Sequence, residues 1–241
     1  MTTFGSSYLN YHVLKTPDRL ANQLTDAVQS IHNEGDFTLS EAQQTQLLIY
    51  LDRLLFWNKT YNLTAIKEPE PALIKHVLDC LAIVPHLKSG SLLDIGTGAG
   101  LPALIVAICQ PERAVTALDS NQKKIRFIKQ VVSELQLKNV NAVASRIETF
   151  ANHNTDNQFE VVTSRAFASL TDFVRLARPC VNDKQGKQGV LQAMKGLAPS
   201  DAEKDEAIKE LVDRTGRTWQ IEVTELDVPR LNEARHLVSI Y

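Results

Sequence analysis

The sequence has few cysteines, no long apolar run and no spacing that indicates a metal site. Its three cysteines are odd in number, far apart and set in apolar sequence, which is typical of reduced thiols in a cytosolic protein. The longest apolar stretch, residues 101–109 with Pro102 inside, is too short to span a bilayer. No C-x-x-C or H-x-x-x-H pattern occurs. We therefore expect a cytoplasmic protein with no bound metal and no membrane partner.

An excess of positive charge is also lacking. The formal net charge is −2, so any contact with nucleic acid must use a local basic patch. The first residues, Met1–Gly5, lack the basic and apolar segments of a secretion signal. With 241 residues, of which 44% are hydrophobic, the chain can bury one full domain and an appendage.

The amino-terminal part of the chain has only helical patterns. Thr16-Pro17 predicts a helix start, Gly35 a stop, and Ser40 with Gln43 a capping box. We predict helices over residues 16–33, 40–59 and 71–84. Residues 1–88 are therefore expected to form a helical region, and residues 89–241 a second domain.

From residue 89 the pattern changes to alternating strands and helices. We predict parallel strands at 91–95, 114–119, 140–144, 159–164 and 190–194, and a closing antiparallel pair at 221–226 and 236–240. Helices are predicted at 102–110, 122–137, 169–177 and 201–212. This alternation favours an α/β fold with a doubly wound, seven-stranded, mostly parallel sheet.

A glycine-rich segment follows the first predicted strand, and it is the most informative feature of the chain. It reads Asp94-Ile95-Gly96-Thr97-Gly98-Ala99-Gly100. A dinucleotide fingerprint would place its third glycine one residue later, where Leu101 stands. An acid two residues before a G-x-G-x-G run is instead typical of S-adenosylmethionine-dependent methyltransferases. A plain turn is the alternative.

Two carboxylates accompany this segment. We assign Asp94 to the ammonium group of the cofactor or to a bound water, with a helix N-cap as the alternative. Asp119 ends the second strand nineteen residues after Gly100, which is where a ribose needs a hydrogen-bond acceptor. The alternative for Asp119 is a cap of the helix that begins near Ser120.

Further candidates follow the later strands, at the carboxyl edge of the sheet. Arg146-Ile147-Glu148 is expected near the adenine, and Ser164-Arg165-Ala166 near the transferable methyl group. Lys195-Gly196 ends the fifth strand on the same edge. An arginine in such a place is often structural and paired with a carboxylate, which stays open for Arg165.

Other polar groups were given simpler interpretations. His76 and Asp79 share a helix face, and a surface pair is expected. Trp57 and Tyr61 are expected to be core and packing residues, with base-stacking platforms as the disfavoured alternative. A basic cluster lies on the helix after the second strand, and we expect it either to attract phosphate or to be a solvated face. Its members are Lys123, Lys124, Arg126 and Lys129.

Taken in order, these motifs resemble the small-subunit ribosomal RNA guanine-N7 methyltransferases called RsmG or GidB. The resemblance covers about residues 40–241. It rests on Asn58-x-x-Tyr61-Asn62-Leu63-Thr64, His76-x-x-Asp79, Asp94 to Pro102, Lys123-Lys124-x-x-Phe127, Arg146-x-Glu148, Ser164-Arg165-Ala166 and Lys195-Gly196. Three positions depart from the usual pattern: Cys80 replaces serine, Ala103 replaces glycine, and Glu160 replaces aspartate.

The resemblance implies methylation of guanosine 527, in the 530 loop of 16S rRNA, with S-adenosylmethionine as donor. The partner would be 16S rRNA or the small ribosomal subunit, and a monomer is expected. Arg165 and Lys195 would act on the acceptor side. The cofactor-binding set would be Asp94, Gly96, Thr97, Gly98, Gly100, Leu101, Asp119, Ser120, Arg146, Ile147, Glu148 and Arg165. The rivals are a small-molecule or protein methyltransferase, and an RNA-binding protein with a vestigial fold.

Overall fold

A computed structural model describes most of the chain. The described residues are 18–33, 37–153, 158–165, 167, 169–182, 188–211 and 218–241. The predicted helix start at Thr16-Pro17, the stop at Gly35, Ala166 of the candidate motif and Val212 lie outside them.

Seven strands in the described residues form one sheet, in the order β3-β2-β1-β4-β5-β7-β6. Strands β1 to β5 are parallel, and β7 runs antiparallel to both β5 and β6. The strands are β1 (Leu92–Ile95), β2 (Val115–Asp119), β3 (Val140–Ala144), β4 (Val161–Arg165), β5 (Val190–Lys195), β6 (Ile221–Glu225) and β7 (His236–Ile240). The predicted doubly wound, mostly parallel sheet is confirmed. The order reverses between β1 and β4, which is where such folds bind ligands.

The helices lie close to their predicted positions, with two differences. Their bounds are α1 (Asp18–Asn33), α2 (Glu41–Tyr61), α3 (Pro69–Ala72), α4 (Asp79–Leu81), α5 (Ala103–Cys109), α6 (Gln122–Leu135), α7 (Ile147–His153), α8 (Leu170–Ala177) and α9 (Asp201–Leu211). The sequence analysis missed α7. It also predicted one uniform third helix, whereas a π-helical segment, Leu73–Leu78, joins α3 to α4.

The predicted capping box at the start of α2 is confirmed. The Gln43 N–H donates to the Ser40 hydroxyl, and the Ser40 N–H donates to the Gln43 side chain over 3.0 Å. The Gln43 amide also donates to the carbonyls of Ile108 and Cys109 at the end of α5. One side chain therefore satisfies backbone groups at the ends of two helices.

The core lies on both faces of the sheet, because successive strand residues point to opposite sides. Leu92 faces a cluster formed with α1, α2, α5 and α6, whereas Leu93 faces a second cluster formed with α7, α8 and α9. The amino-terminal helices thus share one core with the sheet and with the helix that follows the glycine segment.

The aromatic residues of α2 divide into buried and exposed ones. Tyr50 is fully buried and Trp57 is partly buried. Tyr61 is 40% exposed, so the expectation that it belongs to the core is wrong, although it does pack against Trp57. It is the last residue of α2, where a helix face turns from the core to solvent.

The three cysteines are free thiols, as expected. Burial raises the pKa of Cys80 to about 12 and that of Cys180 to about 11, so both stay protonated at neutral pH. In the described ranges, no helix combines the length and apolar character that crossing a bilayer needs.

Candidate functional site

The glycine segment forms a tight turn at the carboxyl end of β1. Gly96, Gly98 and Gly100 all have positive φ angles, of 68°, 61° and 86°, which residues with a side chain rarely adopt. The Thr97 N–H donates to the carbonyl of Leu118 over 3.0 Å. The turn is thereby attached to the neighbouring strand β2.

The glycines have different neighbours. A Cβ added at Gly100 would lie 2.6 Å from the Leu104 side chain, whereas a Cβ at Gly96 would meet no atom within 4 Å. Gly100 is therefore required for packing of the turn against α5. Gly96 borders open space, where a ligand can reach the backbone.

Gly100→Ala is expected to lower the free energy of unfolding by about 1–3 kcal/mol, because it combines a strained φ with a steric clash. Gly96→Ala carries a similar φ penalty without the clash, so it is the matched control. Chemical denaturation of both variants tests the difference. An equal loss in the two variants would show that the Leu104 contact is unimportant.

Asp94 is fully buried at the end of β1. Its Oδ2 accepts the N–H of Ala103, the first residue of α5, over 3.1 Å. Asp94 is not the N-cap of α5, which is Pro102, but this oxygen satisfies the first N–H of the helix because the tight turn brings the start of the helix back to the strand.

The second oxygen of Asp94 remains available. Among the described residues, neither Asp94 Oδ1 nor the buried Thr97 hydroxyl has a hydrogen-bond partner. Burial raises the pKa of Asp94 to about 7; the nearby Thr97 hydroxyl opposes the rise, although these two oxygens do not meet hydrogen-bond geometry. A buried polar pair without partners fits a ligand with hydrogen-bond donors.

Asp119 is fixed by the backbone on both sides. Its Oδ1 accepts the N–H of Asn121 over 2.8 Å, and its Oδ2 accepts the N–H of Gly98 over 3.0 Å. Lys124 Nζ lies 3.7 Å from Oδ2. Asn121, and not Asp119, caps α6 by accepting the Lys123 N–H. The Asp119 carboxylate is thus held rigidly beside the glycine turn, with Ser120 exposed next to it.

The candidates after β3 have different environments. Arg146 and Glu148 are exposed, whereas Ile147 begins α7 and packs in the second core cluster. The Ser145 N–H donates to the carbonyl of Asp119 over 3.2 Å. This segment is therefore adjacent to Asp119, and its cofactor contacts stay a prediction.

Leu101 is buried in the first core cluster.

Arg165 lies at the centre of a buried polar cluster. Its Nη1 donates to the Lys75 carbonyl over 3.0 Å and to Asp79 Oδ2 over 3.2 Å, and its Nη2 lies 3.3 Å from His76 Nδ1. His76 and Asp79 are only 6% and 4% exposed. The expectation of a surface pair is wrong, because these two side chains bind an arginine from the sheet edge.

A second arginine, Arg235, completes the cluster and was missed by the sequence analysis. Its Nε donates to Asp79 Oδ1 over 2.9 Å, and its Nη2 donates to Glu233. The carboxylate of Asp79 therefore lies between two guanidinium groups. No local sequence pattern pairs Arg235 with Asp79; in the structure, the antiparallel register sets His236 opposite Lys195 and so places the preceding residue at the same edge.

The Asn58–Thr64 motif supports His76 through its second ring nitrogen, Nε2. The Thr64 hydroxyl lies 2.7 Å from His76 Nε2, and the Thr64 N–H donates to Asn58 Oδ1 over 2.9 Å. Asn58 also donates to the carbonyl of Ile66. The end of α2 and the loop after it are thereby joined, through one imidazole ring, to Arg165.

His76 is expected to make folding stability depend on pH. Burial, together with the nearby Arg165 charge, lowers its pKa to about 4. Because the unfolded chain then binds the proton more tightly, this contribution is complete above about pH 6.5 and is lost as the pH falls toward 4. The loss is at most about 3 kcal/mol. Denaturation of wild type and His76→Gln at pH 7 and pH 4.5 measures it. An equal pH dependence in both would contradict the assignment.

The other predicted acceptor-side residue is occupied. Lys195 Nζ forms a salt bridge with Glu203, which also accepts the Leu170 N–H. Lys195 therefore ties β5 to α8 and α9, and an acceptor-side role would require it to exchange partners.

Of the basic cluster on α6, Lys124 contacts Asp119. Its other members are exposed and form no ion pair within the described part of the chain: Lys123, Arg126 and Lys129.

The three departures from the family pattern have simple environments. Ala103 contributes its backbone N–H to Asp94. Glu160 accepts the Ser91 N–H over 3.0 Å at the opposite end of the sheet. Cys80 Sγ lies 3.9 Å from Arg165 Nη1, so a thiol there is at most a weak acceptor.

Comparison with known proteins gives a consistent result. Residues 43–238 match the family model of the rRNA small subunit methyltransferase G. The chain is 57% identical to the ribosomal RNA small subunit methyltransferase G of Psychrobacter sp. (strain PRwf-1), over 93% of this chain and 92% of that protein. It is 50% identical to the protein of that name from Acinetobacter baumannii (strain ATCC 17978), over 84% of this chain and 90% of that protein.

Proposed function

The chain belongs to the rRNA small subunit methyltransferase G family, and we propose that it transfers the methyl group of S-adenosylmethionine to N7 of a guanosine in 16S rRNA. The target is guanosine 527 in the 530 loop. The observation that carries the proposal is the position of a buried arginine cluster beside the glycine turn. Ser164, the residue before Arg165, donates its hydroxyl to the carbonyl of Ile95 over 2.8 Å, which places the end of β4 beside the turn.

The hydrogen-bond acceptors beside the turn fit the cofactor. The unpartnered Asp94 Oδ1 and Thr97 hydroxyl suit the ammonium group of the methionine part, and the fixed Asp119 carboxylate suits the ribose hydroxyls. The open space at Gly96 admits a ligand against bare backbone. When bound, S-adenosylmethionine supplies an electrophilic methyl group on a sulfonium.

The acceptor chemistry explains why no general base is assigned. Guanine N7 has a free lone pair and no proton at neutral pH, so the protein must only position it. His76, whose pKa is lowered to about 4, is neutral there and supports the Arg165 guanidinium. In the described structure, Arg165 leaves its Nε–H and one Nη2–H without a partner. These donors suit guanine O6 or a phosphate.

We further propose that a monomer acts in the cytoplasm, where an enzyme that modifies rRNA meets its substrate. The free cations of α6 provide the local basic patch that a net charge of −2 would otherwise not supply. They lie on the helix that begins three residues after Asp119.

The decisive experiment offers labelled S-adenosylmethionine to small ribosomal subunits, naked 16S rRNA and a lysate of proteins and metabolites. We expect label in rRNA only, at one guanosine that is cleaved by the chemistry specific for N7-methylguanosine. Label in protein or in a small molecule would establish one of the rival methyltransferase classes. Binding of rRNA without any transfer would establish a vestigial fold.

Replacing Lys123 and Arg126 together by alanine is expected to weaken the salt dependence of RNA binding. Each lost phosphate contact should lower the slope of log affinity against log salt by about 0.7–0.9. Both side chains are exposed and, unlike Lys124, form no ion pair with Asp119 or any other described residue, so cofactor affinity should not change. Lys209→Ala, on exposed α9, is the control. An unchanged slope in the double variant would place the RNA on another surface.

A further inference from the structure

Three large apolar side chains are well exposed within the described residues: Phe56, Tyr61 and Leu197. Tyr61 differs from the other two because its ring has a partner. It stacks on Trp57 with ring centroids 5.1 Å apart and an angle of 26° between the planes. A solvent-exposed ring held in this way resembles a prepared stacking surface.

The ring is supported through the core. Trp57 packs against Phe127 of α6 at 5.8 Å, and Phe127 packs against Tyr50 at 6.3 Å. The Tyr50 hydroxyl donates to the carbonyl of Ala99 in the glycine turn over 3.0 Å. A series of contacting aromatic side chains therefore runs from the glycine turn to the exposed ring of Tyr61. A ring with such support loses little conformational entropy when a ligand stacks on it.

Tyr61 is also joined to the acceptor side of the site. The next residue, Asn62, ends the helix with a left-handed φ of 51° and donates its N–H to the Asn58 carbonyl. Asn58 holds Thr64, and Thr64 contacts His76, which in turn contacts Arg165. A hydrogen-bonded series thus links the end of α2, which carries Tyr61, to Arg165.

Several exposed cations lie close in the chain to Tyr61 and Phe127, and one exposed acid, Glu68, follows Lys67. Lys59 and Lys67 flank Tyr61 in sequence, and Lys123 and Arg126 lie one turn or less from Phe127 on α6. All four are exposed, and none forms an ion pair with another described residue. Unpaired cations next to an aromatic face are the combination that binds single-stranded nucleic acid, through phosphates and base stacking.

We propose that Tyr61 is a stacking platform for an unpaired nucleobase that flanks the target guanine in the bound RNA. The inference rests on the proposed function and extends it to how the RNA strand is positioned. The base stacks on the tyrosine ring, Trp57 supports that ring, and the adjacent lysines bind the backbone. The tyrosine hydroxyl has no role in this contact.

Three variants test the stacking contact. Tyr61→Leu keeps apolar volume against Trp57 but lacks an aromatic face, Tyr61→Phe keeps the face, and Phe56→Ala is a control on a different face of the same helix. Affinity for small ribosomal subunits from cells lacking the enzyme is measured, with S-adenosylmethionine affinity measured separately. We expect Tyr61→Leu to bind about 5- to 100-fold more weakly, with Tyr61→Phe and Phe56→Ala within about twofold of wild type.

The outcomes separate this inference from the proposed function. Wild-type affinity in Tyr61→Leu overturns the platform, and so does an equal loss in Tyr61→Phe, because the hydroxyl would then be responsible. A parallel loss of S-adenosylmethionine affinity in Tyr61→Leu also overturns it, since Tyr61 would then support only the fold. Failure of the wild type to form N7-methylguanosine overturns the proposed function instead, and the binding comparison can be read in either case.

Discussion

Arg165→Ala is expected to abolish methyl transfer and to destabilise the protein. The substitution leaves Asp79 with Arg235 as its remaining guanidinium partner. It also removes the guanidinium group that contacts His76 and that donates to the Lys75 carbonyl. Removing one member of a buried ion pair typically costs about 3–5 kcal/mol. The low end applies here, because one arginine still compensates the carboxylate. Thermal and chemical denaturation measure this loss.

Two further variants separate stability from function. Arg165→Lys keeps a positive charge near Asp79 but cannot contact Asp79, His76 and a substrate through one planar group. We expect it to fold, and to lose at least about 100-fold in single-turnover rate if Arg165 positions the guanine. Arg235→Ala removes the other partner of Asp79. Each nitrogen of its guanidinium already has a partner, in Asp79, the Ala234 carbonyl or Glu233, so a comparable stability loss should accompany a smaller rate loss.

The opposite pattern would assign Arg165 a structural role only. If Arg165→Lys is folded and methylates small subunits at the wild-type rate, the guanidinium does not contact the acceptor. The structural interpretation, which the sequence analysis left open, would then be sufficient. Equal rate losses in Arg165→Lys and Arg235→Ala would likewise point to the integrity of the cluster and not to a substrate contact.

The elements that the sequence predicted well depend on local signals. The strands β3 and β7 match their predicted bounds, because short β-branched and apolar runs lie between polar turns. The glycine turn was found for the same reason, since only glycine adopts its three positive φ angles readily. The helix α7 was missed because it has only seven residues and lacks a strong start signal.

The arginine cluster could not be derived in this way. Arg165 is 86 residues from Asp79, and Arg235 is 156 residues from it. Helical periodicity placed His76 and Asp79 on one face but could not show that this face meets the end of β4. The same limit applies to Lys195, whose partner Glu203 comes from α9. Local patterns identify candidate groups, whereas their pairing depends on the packing of the helices on the sheet.

Asp119→Ala is expected to weaken S-adenosylmethionine binding by about tenfold to over a hundredfold, or about 1.5–3 kcal/mol. The variant loses the proposed acceptor for the ribose hydroxyls. It also leaves the N–H groups of Gly98 and Asn121 without their partner, so the turn that faces the cofactor is less well fixed. Both effects act in the same direction, and calorimetric titration of the folded variant measures their sum.

Asn121→Ala provides the matched control for the Asp119 experiment. It removes the cap of α6 next to Asp119 and should cost about 1 kcal/mol of stability, while the Asp119 carboxylate keeps its place beside Gly98. Its cofactor affinity should stay within about threefold of wild type. An affinity loss as large as that of Asp119→Ala would mean that the start of the helix, and not the carboxylate, determines binding. Unchanged affinity in a folded Asp119→Ala protein would refute the ribose assignment.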